Sequence, residues 1–183
     1  MNTILRYLEE MSLTMLLLLP GWALVRWLYL RRKGEEPCPG REVLLALFVL
    51  YLAALAQQTV LPQIRWAGGE IRIDPWDFNG CNYIPLYTIR RYFLYASPVN
   101  ALVNLAGNVL VFAPLGLLPP LLWKPWRRFF PTLILGGLCS LFIEVVQPLV
   151  GRSRDIDDLI LNTLGCAAGY LFFVLFRCMR KRL

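Results

Sequence analysis

Apolar side chains fall into five long runs separated by polar links. The runs cover residues 12–30, 43–61, 98 to about 123, 131–147 and 156–176. Each approaches the roughly 20 residues that a helix needs to cross a bilayer core. Pro62 stops the second run and Pro148 the fourth. Ser97-Pro98 opens the third with a capping hydroxyl and a proline suited to the first turn. Pro20-Gly21 should bend the first run, and Pro114 frees the carbonyl of Leu110, which predicts a kink in the third. The pattern predicts an all-α, polytopic membrane helix bundle of about five transmembrane helices, folded as one membrane domain over residues 1–183.

The links add organisation. Residues 124–130 and 149–155 are short, so the third, fourth and fifth helices are expected to be antiparallel neighbours. The long connection, 63–97, carries turn signals at Asp74-Pro75 and Asn79-Gly80 that flank a short alternating stretch, which suggests a small hairpin. Residues 83–95 mix Tyr, Phe, Ile and Leu with Arg90-Arg91, the composition of an interfacial segment lying on the membrane surface.

Composition agrees with a lipid solvent: 57% of residues are hydrophobic and 17% charged. The net charge of +7 comes from Lys and Arg grouped beside the apolar runs. That placement reads as topology information and attraction to anionic lipid, not as a nucleic-acid interface. Histidine is absent, which removes the commonest general base and transition-metal ligand. Five scattered cysteines without CxxC spacing argue against a disulfide framework or a zinc site, and no cofactor is expected. Before the first run, Arg6 is accompanied by Glu9 and Glu10, and no small-residue cleavage site follows, so the run is expected to be retained as a span.

Five spans place the links 31–42 and 124–130 on one side with the C-terminus, and that side holds most of the Lys and Arg. The positive-inside rule then puts the N-terminus outside and the C-terminus in the cytoplasm of a multi-pass cell-membrane protein. Arg26, about one turn from the inner end of the first run, is expected to snorkel to that interface.

Polar residues within the runs gather at one depth. Asn100, Asn104 and Asn108 repeat every four residues on the third helix beside Gly107. Gly137, Ser140, Glu144 and Gln147 share a face of the fourth helix. Asp158, Asn162, Gly165 and Gly169 share a face of the fifth, just below Arg152, Arg154, Asp155 and Asp157. Gln57, Gln58 and Thr59 lie near the same end of the second. Each unpaired polar group in lipid costs a few kcal/mol, so random placement would scatter them. The candidate ligand-binding set is Asn104, Asn108, Glu144, Gln147, Arg152, Arg154, Asp155, Asp158 and Asn162. Plainer roles stand beside that one. Gly165-x-x-x-Gly169 serves as a packing motif, the asparagines as interhelical glue, Asp155 or Asp158 as a helix cap, and the two arginines as head-group contacts. Glu144, a carboxylate inside an apolar run, needs an arginine, a metal, a proton or a substrate group.

Four segments in order carry a family resemblance. They are Asn82-Tyr83-Ile84-Pro85-Leu86; Asn104-Leu105-Ala106-Gly107-Asn108 followed by Phe112-Ala113-Pro114-Leu115-Gly116; Ser140-Leu141-Phe142-Ile143-Glu144 with Gln147; and Arg152, then Asp155-Ile156-Asp157-Asp158 with Asn162, Gly165 and Gly169-Tyr170. Together, over about residues 82–176, the chain resembles the VanZ-like family; Leu86 stands where that family favours phenylalanine. The resemblance implies a small multi-span cell-membrane protein of the kind associated with low-level resistance to teicoplanin, a glycopeptide with a fatty-acyl tail. Three functions compete. One is binding of a lipid-tailed or lipid-linked molecule, such as a lipoglycopeptide or cell-wall precursor, at the outer leaflet of the membrane. Another is an enzyme acting on a lipid head group, with Glu144, Asp155, Asp157 and Asp158 holding a divalent metal. The third is a small transporter or flippase. Oligomeric state and any catalytic residue stay open.

Overall fold

The computed structural model describes the backbone over residues 3–60, 64–67, 70–73 and 80–180, and side chains over 18–60 and 80–180. Six helices dominate: α1 (Thr3–Lys33), α2 (Pro39–Thr59), α3 (Tyr87–Tyr95), α4 (Pro98–Leu122), α5 (Phe129–Val146) and α6 (Ile156–Arg180). Four stretches among the described residues are long and apolar enough to cross a membrane: Pro39–Thr59, Pro98–Leu122, Phe129–Val150 and Ile156–Arg180. The first apolar run lies within α1, which continues through Pro20 as one helix. α4 likewise runs through Pro114, Pro119 and Pro120. Its start is as the sequence suggests, with Pro98 in the first turn and the Ser97 hydroxyl accepting the N–H of Asn100 at 3.3 Å.

One antiparallel hairpin pairs β1 (Ile64–Ala67) with β2 (Glu70–Ile73), Ile64 opposite Ile73 and Ala67 opposite Glu70. It precedes the stretch where the turn signals suggested a hairpin, and residues 74–79 are outside the described set.

The chain forms two compact units, residues 1–58 and 59–183. In the first, α1 ends at Gly34, whose positive φ of 64° suits glycine, and α2 follows after a short link. Arg26 does not simply snorkel. Its guanidinium grips the Glu42 carboxylate with two hydrogen bonds of 2.7 and 2.8 Å and lies 5.0 Å from the Tyr29 ring. Pairing both charges in a planar fork lowers the cost of holding them near lipid.

In the second unit α4 and α6 are the closest pair, although α5 separates them in sequence. They run parallel: Gly165 abuts Val109 and Gly169 abuts Ala113, so both helices advance together. A Cβ at either glycine would overlap the backbone carbonyl of its neighbour, and one at Gly116 would overlap the carbonyl of Cys166. Small residues therefore set the spacing, and the Gly165-x-x-x-Gly169 segment is a packing motif. The short-link expectation is corrected in one respect. α5 is the antiparallel member, but its contact with α4 is slight, because backbone approach through glycine outweighs proximity along the chain.

Candidate functional site

The link after α5 turns sharply at Gly151, which has φ of 75°, and the backbone N–H of Arg152 returns to the carbonyl of Gln147 at 3.0 Å. α6 then begins with Asp155 as its cap: its Oδ1 accepts the N–H of Asp157 at 2.9 Å. The same oxygen accepts from Asn82 Nδ2 at 2.8 Å. Asn82 is also bound along its backbone, donating to the carbonyl of Arg154 at 2.8 Å and accepting from the N–H of Ile156 at 3.0 Å. The segment before α3 is thus held like a short parallel strand against the start of α6.

Asp157 completes this join. Its carboxylate is fully buried and accepts the N–H groups of Leu86 and Ile89. It caps α3 from a different helix, where Leu86 adopts a left-handed φ of 64° and supplies no side-chain cap. The orientation of α3 follows. Thr88 and Tyr92 face the bundle, while Phe93, Leu94 and Tyr95 are exposed, as an interfacial segment requires.

Under α3 lies a cavity of about 520 Å³. α4 contributes Asn104, Leu105 and Asn108; α6 contributes Asp158 and Leu161; the link supplies Gln147, Gly151, Arg152, Ser153 and Asp155; α3 adds Thr88 and Tyr92. Asn108 donates its amide nitrogen to the carboxylate of Asp158, joining α4 to α6 across the cavity. Asn104 donates to the carbonyl of Asn100 at 2.7 Å, within its own helix. Both asparagines line the cavity, but only Asn108 also joins α4 to α6.

The remaining candidates lie behind or beside the wall. Glu144 is 3% exposed and supports the floor: Oε2 accepts the N–H of Asp155 at 2.8 Å, while Oε1 is buried without a partner. Asn162 faces α5, where its amide nitrogen reaches the Ser140 hydroxyl at 2.9 Å. Arg154 does not grip a carboxylate side chain through its described contacts. Nε donates to the carbonyl of Glu144 at 2.7 Å and Nη2 to that of Val145 at 3.4 Å, a favourable use of a cation at a helix C-terminus. Its guanidinium also lies 5.9 Å from the Tyr83 ring.

Glu144, Asp155, Asp157 and Asp158 do not form one ligand set. Each turns to the separate partner described above, and among the described residues no group of three Asp, Glu or Cys side chains comes together for a metal ion. Thr88, Tyr92 and the anchoring role of Asn82 were not singled out from the sequence. The only signal for them was the Asn82-Tyr83-Ile84-Pro85 segment itself, whose partners lie over seventy residues away.

Membrane-length helices with a polar cavity at one end define a multi-pass integral membrane protein. The sequence model of the VanZ/LLP1 family matches residues 48–177, and the chain belongs to this VanZ-like family. The match begins within α2, upstream of the four segments that carry the resemblance. No curated protein and no solved structure matches the chain.

Proposed function

We propose that this protein binds a lipid-tailed or lipid-linked molecule at the outer leaflet, and that it thereby lowers sensitivity to teicoplanin-type glycopeptides. The observation that carries the reading is the cavity of about 520 Å³, with Asp158, Asn108, Asn104 and Gln147 on its wall. A polar head fits among these groups. Exposed apolar residues flank it, Leu102 and Val103 beside Asn104 and Phe93 beside Tyr92, and offer an acyl chain a route along the helices. The proposed topology has the cavity outside and the C-terminus in the cytoplasm. Cys38 and Cys178 are exposed and belong to the inner side in this topology, so an impermeant thiol reagent should spare both on intact cells.

The functional test is teicoplanin susceptibility in cells carrying matched membrane levels of each variant. Asp158→Asn removes the charge facing the cavity, and Glu144→Gln removes the one supporting its floor. Loss of a charge-assisted contact weakens binding roughly ten-fold, so both variants should return susceptibility toward that of cells lacking the protein. Full protection by both would overturn the reading.

A further inference from the structure

The charged residues of α3 are both arginines, Arg90 and Arg91. Both are exposed, and among the described residues neither guanidinium forms an ion pair or a hydrogen bond. Helical spacing puts Thr88, Arg91, Tyr92 and Tyr95 on one face, at i, i+3, i+4 and i+7. They line a hollow of about 360 Å³ that adjoins the larger cavity and shares Thr88 and Tyr92 with it. The two differ in chemistry. Asp155 and Asp158 line the larger one, whereas no Asp or Glu among the described residues lines the hollow along α3.

That hollow offers donors. Arg91 presents a planar fork of N–H groups. The Thr88 oxygen accepts from Asn82 Nδ2 at 3.2 Å, and its own O–H stays a donor. Tyr92 and Tyr95 bring two phenol hydroxyls. A phosphate diester is the complement: negative, rich in acceptors and matched to the guanidinium fork. Position decides the source of that phosphate. Only Ala96 and Ser97 separate α3 from the first residue of α4, and Asp157 at the start of α6 holds the other end of α3. α3 thus lies where two spans leave the bilayer, at head-group depth. Phe93 and Leu94 are exposed beside the arginines and supply an apolar margin that a soluble phosphate would not use.

We infer that the hollow along α3 is a site for an anionic phospholipid, with its phosphate at Arg91, Thr88 and Tyr92 and its acyl chains beside Phe93 and Leu94. The site is distinct from the one in the proposed function. It needs nothing bound in the larger cavity, and drug susceptibility does not read it.

Photolabelling tests the site. The full chain is placed in phosphatidylcholine vesicles that contain a trace of phosphatidylglycerol bearing a diazirine at the head-group end of one acyl chain. Crosslinked peptides are then quantified by mass spectrometry. Labelling of residues 87–97 is read against residues 124–135 of the same molecules. Arg91→Gln should lower that ratio about ten-fold, the value of a charge-assisted hydrogen bond, and Arg91→Lys, which keeps the charge, should lower it less. With a phosphatidylcholine probe the ratio should not change in either variant. Soluble glycerol phosphate should not compete with the phosphatidylglycerol probe. An unchanged ratio in Arg91→Gln, equal losses in the Gln and Lys variants, or an equal fall with the phosphatidylcholine probe overturns the anionic-lipid site. Competition by glycerol phosphate overturns the lipid as the source.

Discussion

The two ends of the α4–α6 bundle use polar residues in opposite ways. At the basic end, polar side chains close on backbone carbonyls. The Thr132 hydroxyl donates to the carbonyl of Trp126, Tyr170 to that of Arg127 at 3.0 Å, and Arg127 to that of Pro120 at 3.2 Å. Phe129 packs edge-on against Tyr170 with ring centroids 5.5 Å apart. These contacts tie the link between α4 and α5 to the helices around it. At the other end, Asn82, Asp155 and Asp157 bind elements distant in sequence, while Glu144 and Gln147 keep buried oxygens unpaired beside a cavity. A satisfied polar group stabilises, whereas a buried unpaired one carries a cost of about 1–3 kcal/mol. The contrast separates the end where contacts close on backbone from the end where the proposed binding cavity lies.

The glycine seam between these ends supports both, so its loss should have the largest effect. Gly169→Val places a branched Cβ where the carbonyl of Ala113 now lies, and α4 and α6 must separate. Overpacking of this kind costs about 1–3 kcal/mol or more. The variant should show a sharply lower melting temperature in detergent, with both ends affected. A melting temperature equal to that of the unchanged protein would mean that the seam does not set the helix spacing.

A narrower break is Asp157→Ala, which removes the cap of α3 and leaves the N–H groups of Leu86 and Ile89 without their acceptor. Hydrogen bonds to a charged group contribute about 1.5–3 kcal/mol. Hydrogen exchange should accelerate over residues 82–95 while residues 124–135 keep their protection. Uniform acceleration along the bundle would show that the two ends are not separable.

The smallest effect is expected from Thr132→Val at the basic end. It removes one hydroxyl hydrogen bond at nearly constant volume, a loss of about 1 kcal/mol. Thermal stability should fall by a few degrees, and drug protection at matched membrane levels should not change. If protection fell as far as in Asp158→Asn, the division between a structural and a functional end would be lost.

Much of this was legible in the residues alone, because the relevant signals are local. Hydropathy over about 20 residues marks a span. Ser97-Pro98 announces the start of α4, and the Asp155 cap acts within two residues of itself. The shared depth of Asn104, Asn108, Gln147 and Asp158 also follows from counting turns from the helix ends. Tertiary structure decided what such counting cannot reach: how far each helix is rotated about its axis, and which neighbour it meets. Rotation turned Asn162 toward Ser140 and placed Glu144 behind the cavity wall. Backbone approach at Gly116, Gly165 and Gly169 made α4 and α6 the closest pair. The docking of Asn82 on Asp155, and the capping of α3 by Asp157, join residues more than sixty positions apart. No local period encodes such a pairing. It arises only when buried N–H groups and carboxylates must find partners in a space from which water is excluded.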